Sequence, residues 1–478
     1  MKKAFFGIAL SLLCCSVATA GGPIQALILD SGSDFTHSVL NPLALPNPAE
    51  LNGTANVDDD KNGYIDDLFG WNFVEASNLL VNLKNTPPTY DKVLKCMKLL
   101  GILQAYGKEG MSTEEFDYLY ACYQDKKFWA WVSFAGGWAH GTHCAGIIAT
   151  KNPDVKLKSV RHIPTGDAPA RIALDAAVQI KHMMLHKTRR TGEPVPTAGQ
   201  KVTIEQLSAY FAQLGESYAV KVKEEAAYLG SLAPHVMNCS FGTDNSNLIK
   251  VFKQNMVEEW GWVNPTDAEV QDVVNLFVAK ALLPRDKALF GKCPNTLVFI
   301  AAGNSSEHLD PITTSPNDVP MTNKLVVAAT QENKKLAAFS CYGKNKVDVA
   351  VPGVNIFATY PNNQMGYMSG TSMACPMAAR FATLVLQEYD KLTPEELKKL
   401  LMGTVDKKDW LTEKVKSGGV INPNRAVYAA KLLTNGMALD AAIIEANKKV
   451  ADMVIRTPFK VPNLKDKKVR ELYFSAVF

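Results

Sequence analysis

Short apolar runs recur along the 478-residue chain, at positions 26–29, 235–239, 296–302, 324–330 and 347–351. They are followed by Gly, Asn or Ser and then by a helical pattern. Runs apolar on both faces suit strands of a buried parallel sheet. Helix starts lie between them. Thr393 with Glu396 forms a capping box around Pro394, and Thr266 with Glu269, Ser112 with Glu115, and Thr203 with Gln206 repeat the pattern. Strands alternating with helices predict an α/β fold: a doubly wound, mainly parallel sheet with helices on both faces. Ligands of such folds gather at the carboxyl ends of the strands.

Two stretches read as helical insertions in this pattern. Residues 77–133 carry helical periodicity and many aromatics, and residues 165–231 carry long helices joined by a Gly/Pro-containing loop near 191–199. From about residue 428 the chain is helical and amphipathic, then charged and aromatic, so 431–478 is expected to be a helical extension of a domain spanning 21–430.

The first twenty residues are expected to lie outside the fold. Lys2 and Lys3 precede an apolar stretch at 4–17, and Ala18-Thr19-Ala20 supplies small residues at cleavage positions, the layout of a signal peptide. Leu13 stands where lipid attachment at Cys14 requires a small residue. No later run is long and apolar enough to span a bilayer, so the mature protein is expected to be soluble, without stable membrane insertion, and periplasmic or extracellular. The net charge of +4 is too small on this length to point to nucleic acid. Of nine cysteines, seven lie beyond the signal segment, without a CxxC zinc pattern. Cys144, Cys239 and Cys375 sit in apolar motifs as small core residues, while Cys96 and Cys122 share one insertion and are candidates to pair.

Chemistry concentrates in three motifs in the order Asp, His, Ser. Asp30 follows the first strand, where a carboxylate can accept a hydrogen bond from an imidazole and hold its tautomer. His140 opens the segment His140-Gly141-Thr142-His143, which reads as a helix start, with His143 one turn deeper as a core residue. Ser372, in Gly370-Thr371-Ser372-Met373-Ala374, sits at a helix N-terminus, with Pro376 in the first turn. Its hydroxyl needs a base such as His140 to become a nucleophile. Asn304, beyond the third run, can donate its amide to an oxyanion together with the Ser372 N–H. Alone, each residue is more simply a cap, a turn or a core group. In this order they form a hydrolytic set.

These motifs resemble the subtilisin-like serine peptidases, with support from Asn238-Cys239-Ser240-Phe241-Gly242, Val351-Pro352-Gly353 and Gly418-Gly419-Val420-Ile421-Asn422. The resemblance spans about residues 23–430 and implies an endopeptidase acting on polypeptides. It implies that Ser240, Phe241 and Gly242 pair with the substrate backbone as an added strand. It also implies that Ala301, Ala302 and Gly303 wall the pocket for the side chain before the scissile bond. The sequence departs from the family in having only Gly21-Gly22-Pro23 between the signal and the first strand, where a propeptide is usual, and in Cys144, where a larger apolar residue is usual.

Residues 58–67 place oxygens at alternating positions around Gly63. Asp58, Asp60, Asn62, the Tyr64 carbonyl and Asp66 follow the first nine positions of an EF-hand-like loop, but Phe69 replaces the bidentate Glu at the twelfth. The loop reads either as a structural calcium site or as an acidic turn around Asn62-Gly63. The chemistry itself requires no cofactor. An α/β-hydrolase esterase would need the order Ser, Asp/Glu, His and a Gly-x-Ser-x-Gly elbow, and Ser372 has neither. The remaining alternative is a catalytically silent protease-like binding protein whose insertions cover the cleft.

Overall fold

Strand β1 (Gln25–Asp30) divides its side chains between two cores, with Ala26 and Ile28 in one and Leu27 and Leu29 in the other. A strand apolar at every position is buried only in a sheet covered on both faces. The computed structural model, which describes residues 22–165, 191–453 and 462–478, is built this way. The expected signal peptide and part of the second insertion lie outside the described residues.

After β1 come α1 (Tyr90–Tyr106), α2 (Thr113–Gln124), α3 (Lys126–Ala149) and β2 (Lys156–Arg161). Then follow α4 (Ile204–Lys221), α5 (Lys223–Leu232), β3 (Val236–Cys239), α6 (Asn245–Glu258), α7 (Asp267–Phe277), α8 (Leu283–Phe290) and β4 (Leu297–Ala301). Strands β5 (Lys324–Gln331), β6 (Lys335–Leu336) and β7 (Val349–Pro352) precede a hairpin, β8 (Ile356–Tyr360) and β9 (Gln364–Met368). The chain continues through α9 (Thr371–Glu388), α10 (Pro394–Gly403), β10 (Val405–Lys407), β11 (Gly419–Ile421), α11 (Pro423–Thr434), α12 (Leu439–Lys449) and α13 (Lys467–Phe474).

The main sheet runs β10-β11-β7-β5-β4-β3-β1-β2, with β6 beside β5. Among the described residues of this sheet, only β10 and β6 pair antiparallel. The five apolar runs of the sequence are β1, β3, β4, β5 and β7, all interior strands. Strand β2 escapes that pattern because it is an edge strand, and Lys156 and Lys158 alternate with buried Leu157. All four capping boxes form, at Ser112, Thr203, Thr266 and Thr393.

Helices α3 and α9 pack on the face that receives Ala26 and Ile28, whereas α5 and α8 cover the other. A third core lies apart from the sheet. Phe211 of α4 meets Phe252 of α6, Phe277 of α7 and Trp260, with the Phe211 and Phe277 ring centroids 5.3 Å apart. Helix α4 is thus anchored by helices outside its own stretch of sequence. The first stretch of expected insertion holds α1 and α2, and then runs without a break into α3.

That continuity corrects one expectation. His140 does not begin a helix; it lies well inside α3, which starts at Lys126 behind an Asp125 cap accepting from Phe128 N–H. Phe128, Trp129, Val132, Phe134 and Trp138 bury a helical stripe that carries the helix through Gly136 and Gly137. Pro376 is also displaced from its expected place: it lies in the second turn of α9, inside the helix.

Candidate active site

The carboxyl ends of β1, β3 and β4 converge with α3 and the start of α9 on one cavity of about 490 Å³. Asp30, His140, Ser372, Asn304, Ser240, Phe241, Gly242, Ala301, Ala302 and Gly303 all line it. Ten residues singled out along more than 340 positions of chain therefore share one space.

Close backbone approach brings His140 to Asp30. A Cβ on Gly141 would overlap the backbone of Gly32, so α3 reaches the loop after β1 only because this position has no side chain. The contact is fixed by hydrogen bonds. Gly141 N–H donates to Ser31 Oγ at 3.0 Å, Ser33 Oγ donates to the Gly141 carbonyl at 3.1 Å, and Asp34 N–H donates to Thr142 Oγ1 at 3.0 Å. His140 Nδ1 then lies 2.7 Å from Asp30 Oδ1. The same oxygen accepts from Ser31 N–H at 2.7 Å, and Asp30 is fully buried. The imidazole is thereby turned with Nε2 as its available nitrogen.

The other histidine of the motif has a different place. His143 is fully buried, and its Nε2–H donates to the carbonyls of Ile356 and Gly366 at 3.2 and 3.3 Å. Burial pushes its pKa down to about 3, so it is a neutral strut between α3 and the β8–β9 hairpin.

Ser372 lies in the first turn of α9, where backbone N–H groups lack intrahelical acceptors. Its side chain donates to the Ser240 carbonyl at 3.2 Å, and no hydrogen bond joins it to His140 among the described residues. Its carbonyl is also unusual. Pro376, four residues on, has no N–H to offer it, and Ser240 Oγ at 3.0 Å and Cys144 Sγ at 3.5 Å donate instead. The proline thus ties the backbone of Ser372 to the end of β3 and to α3. Burial holds the Cys144 thiol well above its usual pKa, in the protonated form such a donor requires.

Asn304 is oriented by Thr371. Its Oδ1 accepts from Thr371 N–H and from Thr371 Oγ1, both at 2.9 Å, and Thr371 Oγ1 accepts from Gly303 N–H at 3.1 Å. With the carbonyl end of the amide so engaged, Nδ2 is left for the cavity, beside the start of α9. Gly303 has φ of +109°, which a residue with a side chain rarely adopts.

Past β3, Asn238 Nδ2 donates to Ser240 Oγ at 3.1 Å, and the Phe241 ring lies 5.1 Å from that of His162. Gly242 is exposed along the cavity edge.

The acidic loop behaves differently from its pattern. Asp58 spends its oxygens on Asn62 N–H and Gly63 N–H, Asn62 Oδ1 accepts from Tyr64 N–H, and Asp66 Oδ2 accepts from Asn56 N–H. Asp60 instead gathers with Glu50 and Asp67, their carboxylate oxygens within 4.8 Å of one another. Asn47 Nδ2 donates to both Asp60 and Asp67, and Tyr228 O–H donates to Asp67 at 2.6 Å. Of the EF-hand-like set of Asp58, Asp60, Asn62, Tyr64 and Asp66, Asp60 belongs to this all-carboxylate trio, whose oxygens also accept from donors of the same loop, among them Asn62 N–H to Asp60 and Asp66 N–H to Glu50. Such a donor set fits a hard cation. The seven described cysteines are free, Cys96 and Cys122 included.

The Subtilase family model matches residues 28–426. The chain belongs to the subtilase family. Among its relatives, this subtilase is 24% identical to Subtilisin-like protease 1 of Plasmodium vivax over 411 residues, covering 84% of the chain and 47% of that protein. It is 34% identical to Serine protease AprX of Bacillus subtilis (strain 168) over 160 residues, covering 27% of the chain and 35% of the relative. The subtilase thus spans about half or less of the length of these relatives. A solved cold adapted subtilisin-like serine proteinase is 17% identical, with 82% of this chain and 88% of that one covered and a TM-score of 0.37.

Sequence patterns missed part of the cavity lining. Phe474, Val477 and Phe478 contribute to it, as do Gly137 and Glu307. No local motif marks the three C-terminal residues, because only tertiary packing brings them there.

Proposed function

We propose that the protein is an exported serine endopeptidase. The observation that carries this is the convergence of the buried Asp30–His140 pair with Ser372 and Asn304 on one cavity. Ser372 Oγ leaves the Ser240 carbonyl by rotation about χ1, gives its proton to His140 Nε2 and attacks the substrate carbonyl. Such bonds are commonly loose before substrate binds. Asp30 stabilises the imidazolium, and Asn304 Nδ2 with the Ser372 N–H stabilises the oxyanion. His140 returns the proton to the leaving amine, and water activated by His140 then hydrolyses the acyl-enzyme. Ser240, Phe241 and Gly242 hold the substrate backbone, and Ala301, Ala302 and Gly303 wall the pocket for the side chain before the scissile bond. The domain of residues 21–430 carries the chemistry, residues 1–20 direct export to the periplasm or the exterior, and 431–478 form an extension. Among the described residues no helix is long and apolar enough to cross a membrane. A structural calcium ion would be held by Glu50, Asp60 and Asp67 and supplies no step.

Labelling with a fluorophosphonate probe tests the nucleophile. The wild type is expected to label and to degrade an unfolded protein, and Ser372→Ala to lose labelling and about 10⁶-fold in kcat. One observation favours a second reading, a catalytically silent binding protein: the Ser372 hydroxyl bonds Ser240 rather than His140. An unlabelled, proteolytically inert wild type would establish that reading in place of the first.

A further inference from the structure

The cavity has two flanks of different origin. One is the end of β3 with residues 301–304, where the proposed function places the acyl part of the substrate. The other is built by the last described residues. Phe478 N–H donates to the Ser369 carbonyl at 2.9 Å, three residues before the nucleophile. The backbone of Phe478 lies against Gly370, where any Cβ would overlap its carbonyl oxygen. Its ring lies on Gly136, one turn before His140 on α3, and a Cβ there would overlap the ring. Two positions without side chains, one beside the nucleophile and one beside the base, thus make room for one phenylalanine.

The segment is firmly docked. Asp466 caps α13, accepting from Lys468 and Val469 N–H groups. Tyr473 is fully buried, and its hydroxyl accepts from Ala338 N–H at 3.3 Å. Gln104, on α1, donates its amide to the carbonyls of Tyr473 at 2.9 Å and Ala476 at 3.3 Å. Gln331, at the end of β5, in turn donates to the carbonyls of Gln104 and Ala105 at 2.9 and 2.6 Å. The helices between Asp30 and His140 therefore act as a bracket that carries the C-terminal segment to the catalytic centre. Phe474, 42% exposed, and Val477 complete an apolar wall beside Phe478.

We propose that residues 474–478 form the leaving-group side of the active site and select apolar side chains in the substrate residues that follow the scissile bond. This rests on Ser372 being the nucleophile. The wall rests on Gly136 and Gly370, next to His140 and Ser372 and on elements other than those of the acyl flank, and the chain of the departing amine must run where the acyl part does not. A docked wall of Phe474, Val477 and Phe478 buries an apolar side chain there and offers a charged one no partner.

Acyl transfer isolates this flank. An acyl-enzyme formed from a peptide ester is partitioned between water and an added amino acid amide. In the second route the amine nitrogen attacks the ester carbonyl, a C–N bond forms and the C–Oγ bond breaks. His140 takes the amine proton and returns it to Ser372. Leucinamide is expected to capture the acyl group about tenfold better than glycinamide, the scale of one apolar side chain in a fitted site. Phe478→Ala should cut that ratio at least about threefold, and Phe478→Tyr should restore it, with Tm measured for each. An unchanged ratio in Phe478→Ala would overturn the proposal. So would a uniform rise in all hydrolysis rates at constant ratio, which marks a cap over the cleft rather than a selective wall. No ester turnover and no fluorophosphonate labelling in the wild type would overturn the nucleophile assignment itself. Turnover without selectivity overturns only the role of this wall.

Discussion

His140 presents Nδ1 to Asp30 Oδ1 at 2.7 Å, and Asp30 is shut away from water. An amide at position 30 can keep the oxygen that accepts from Ser31 N–H and Nδ1–H, but it removes the negative charge that stabilises the imidazolium in the proposed mechanism. Asp30→Asn is therefore expected to keep the fold and to lose roughly 10⁴-fold in kcat. Ester hydrolysis and thermal unfolding measured on one preparation check this. A loss below about tenfold would show that the Asp30 charge does not stabilise the imidazolium.

Asn304 has two ends with separate duties. Asn304→Asp keeps the Oδ1 acceptor that Thr371 holds by two 2.9 Å bonds, yet replaces the donor with an anion. The expected loss is about 10²–10³ in kcat or more, the scale set by the corresponding donor in subtilisin. KM should change little, because the donor acts on the oxyanion rather than the bound substrate. A rise in KM with kcat preserved would assign Asn304 to ground-state binding instead.

The interior strands and the motifs that meet at the cavity were legible because each is local. A run such as 296–302 is apolar at consecutive positions since both faces of β4 are buried, and Asn304 follows at the strand end. The extent of α3 was not legible. Gly136 and Gly137 look like a helix boundary in isolation, and the ring of Phe478, more than 340 residues away, is what covers Gly136. The same distance hid the apolar wall. The carboxylate trio was not legible for a related reason: alternating oxygens in 58–66 satisfy backbone N–H groups of their own turn, and the carboxylates that converge with Asp60 include Glu50, before the motif, and Asp67, just after it.

Calcium is expected to stabilise the fold through Glu50, Asp60 and Asp67. At a free concentration about 100-fold above Kd the gain is about 2.7 kcal/mol, read as a rise in Tm that a chelator reverses. Asp60→Asn should abolish most of the rise. Burial lowers the pKa of nearby Lys158, and Asp67 and Asp60 oppose that shift by favouring its charged form. A Tm independent of calcium would show that this lysine and the amide donors already balance the trio.

Glu307 is expected to make the cavity selective by charge. Asp244 and Glu307 line it together with Asp30, and among the described residues no Lys or Arg does. Glu307 is held by Asn245 Nδ2 at 3.0 Å and by Ser305 Oγ. Basic side chains before the scissile bond should be cleaved better than acidic ones, and Glu307→Gln should shrink that ratio about fivefold, or ~1 kcal/mol for one charge at partial solvent exposure. Matched Lys and Glu peptides give the ratio directly. Equal ratios in the two proteins would place the carboxylate outside the pocket's field.

His143 links stability to pH. Folded, its imidazole stays neutral down to about pH 3; unfolded, it takes a proton near pH 6.5. Between those values the unfolded chain binds more protons, so stability rises with pH and is lost as pH falls below about 6.5. The loss from this one group is about 3 kcal/mol by pH 4. His143→Gln can still donate to the Ile356 and Gly366 carbonyls but cannot titrate. Its unfolding free energy should therefore fall less steeply than that of the wild type between pH 6.5 and 4, while other groups contribute equally to both. Parallel profiles in denaturant titrations would mean that the buried ring accepts a proton without unfolding. That would require its Nδ1, which has no hydrogen-bond partner, to find one.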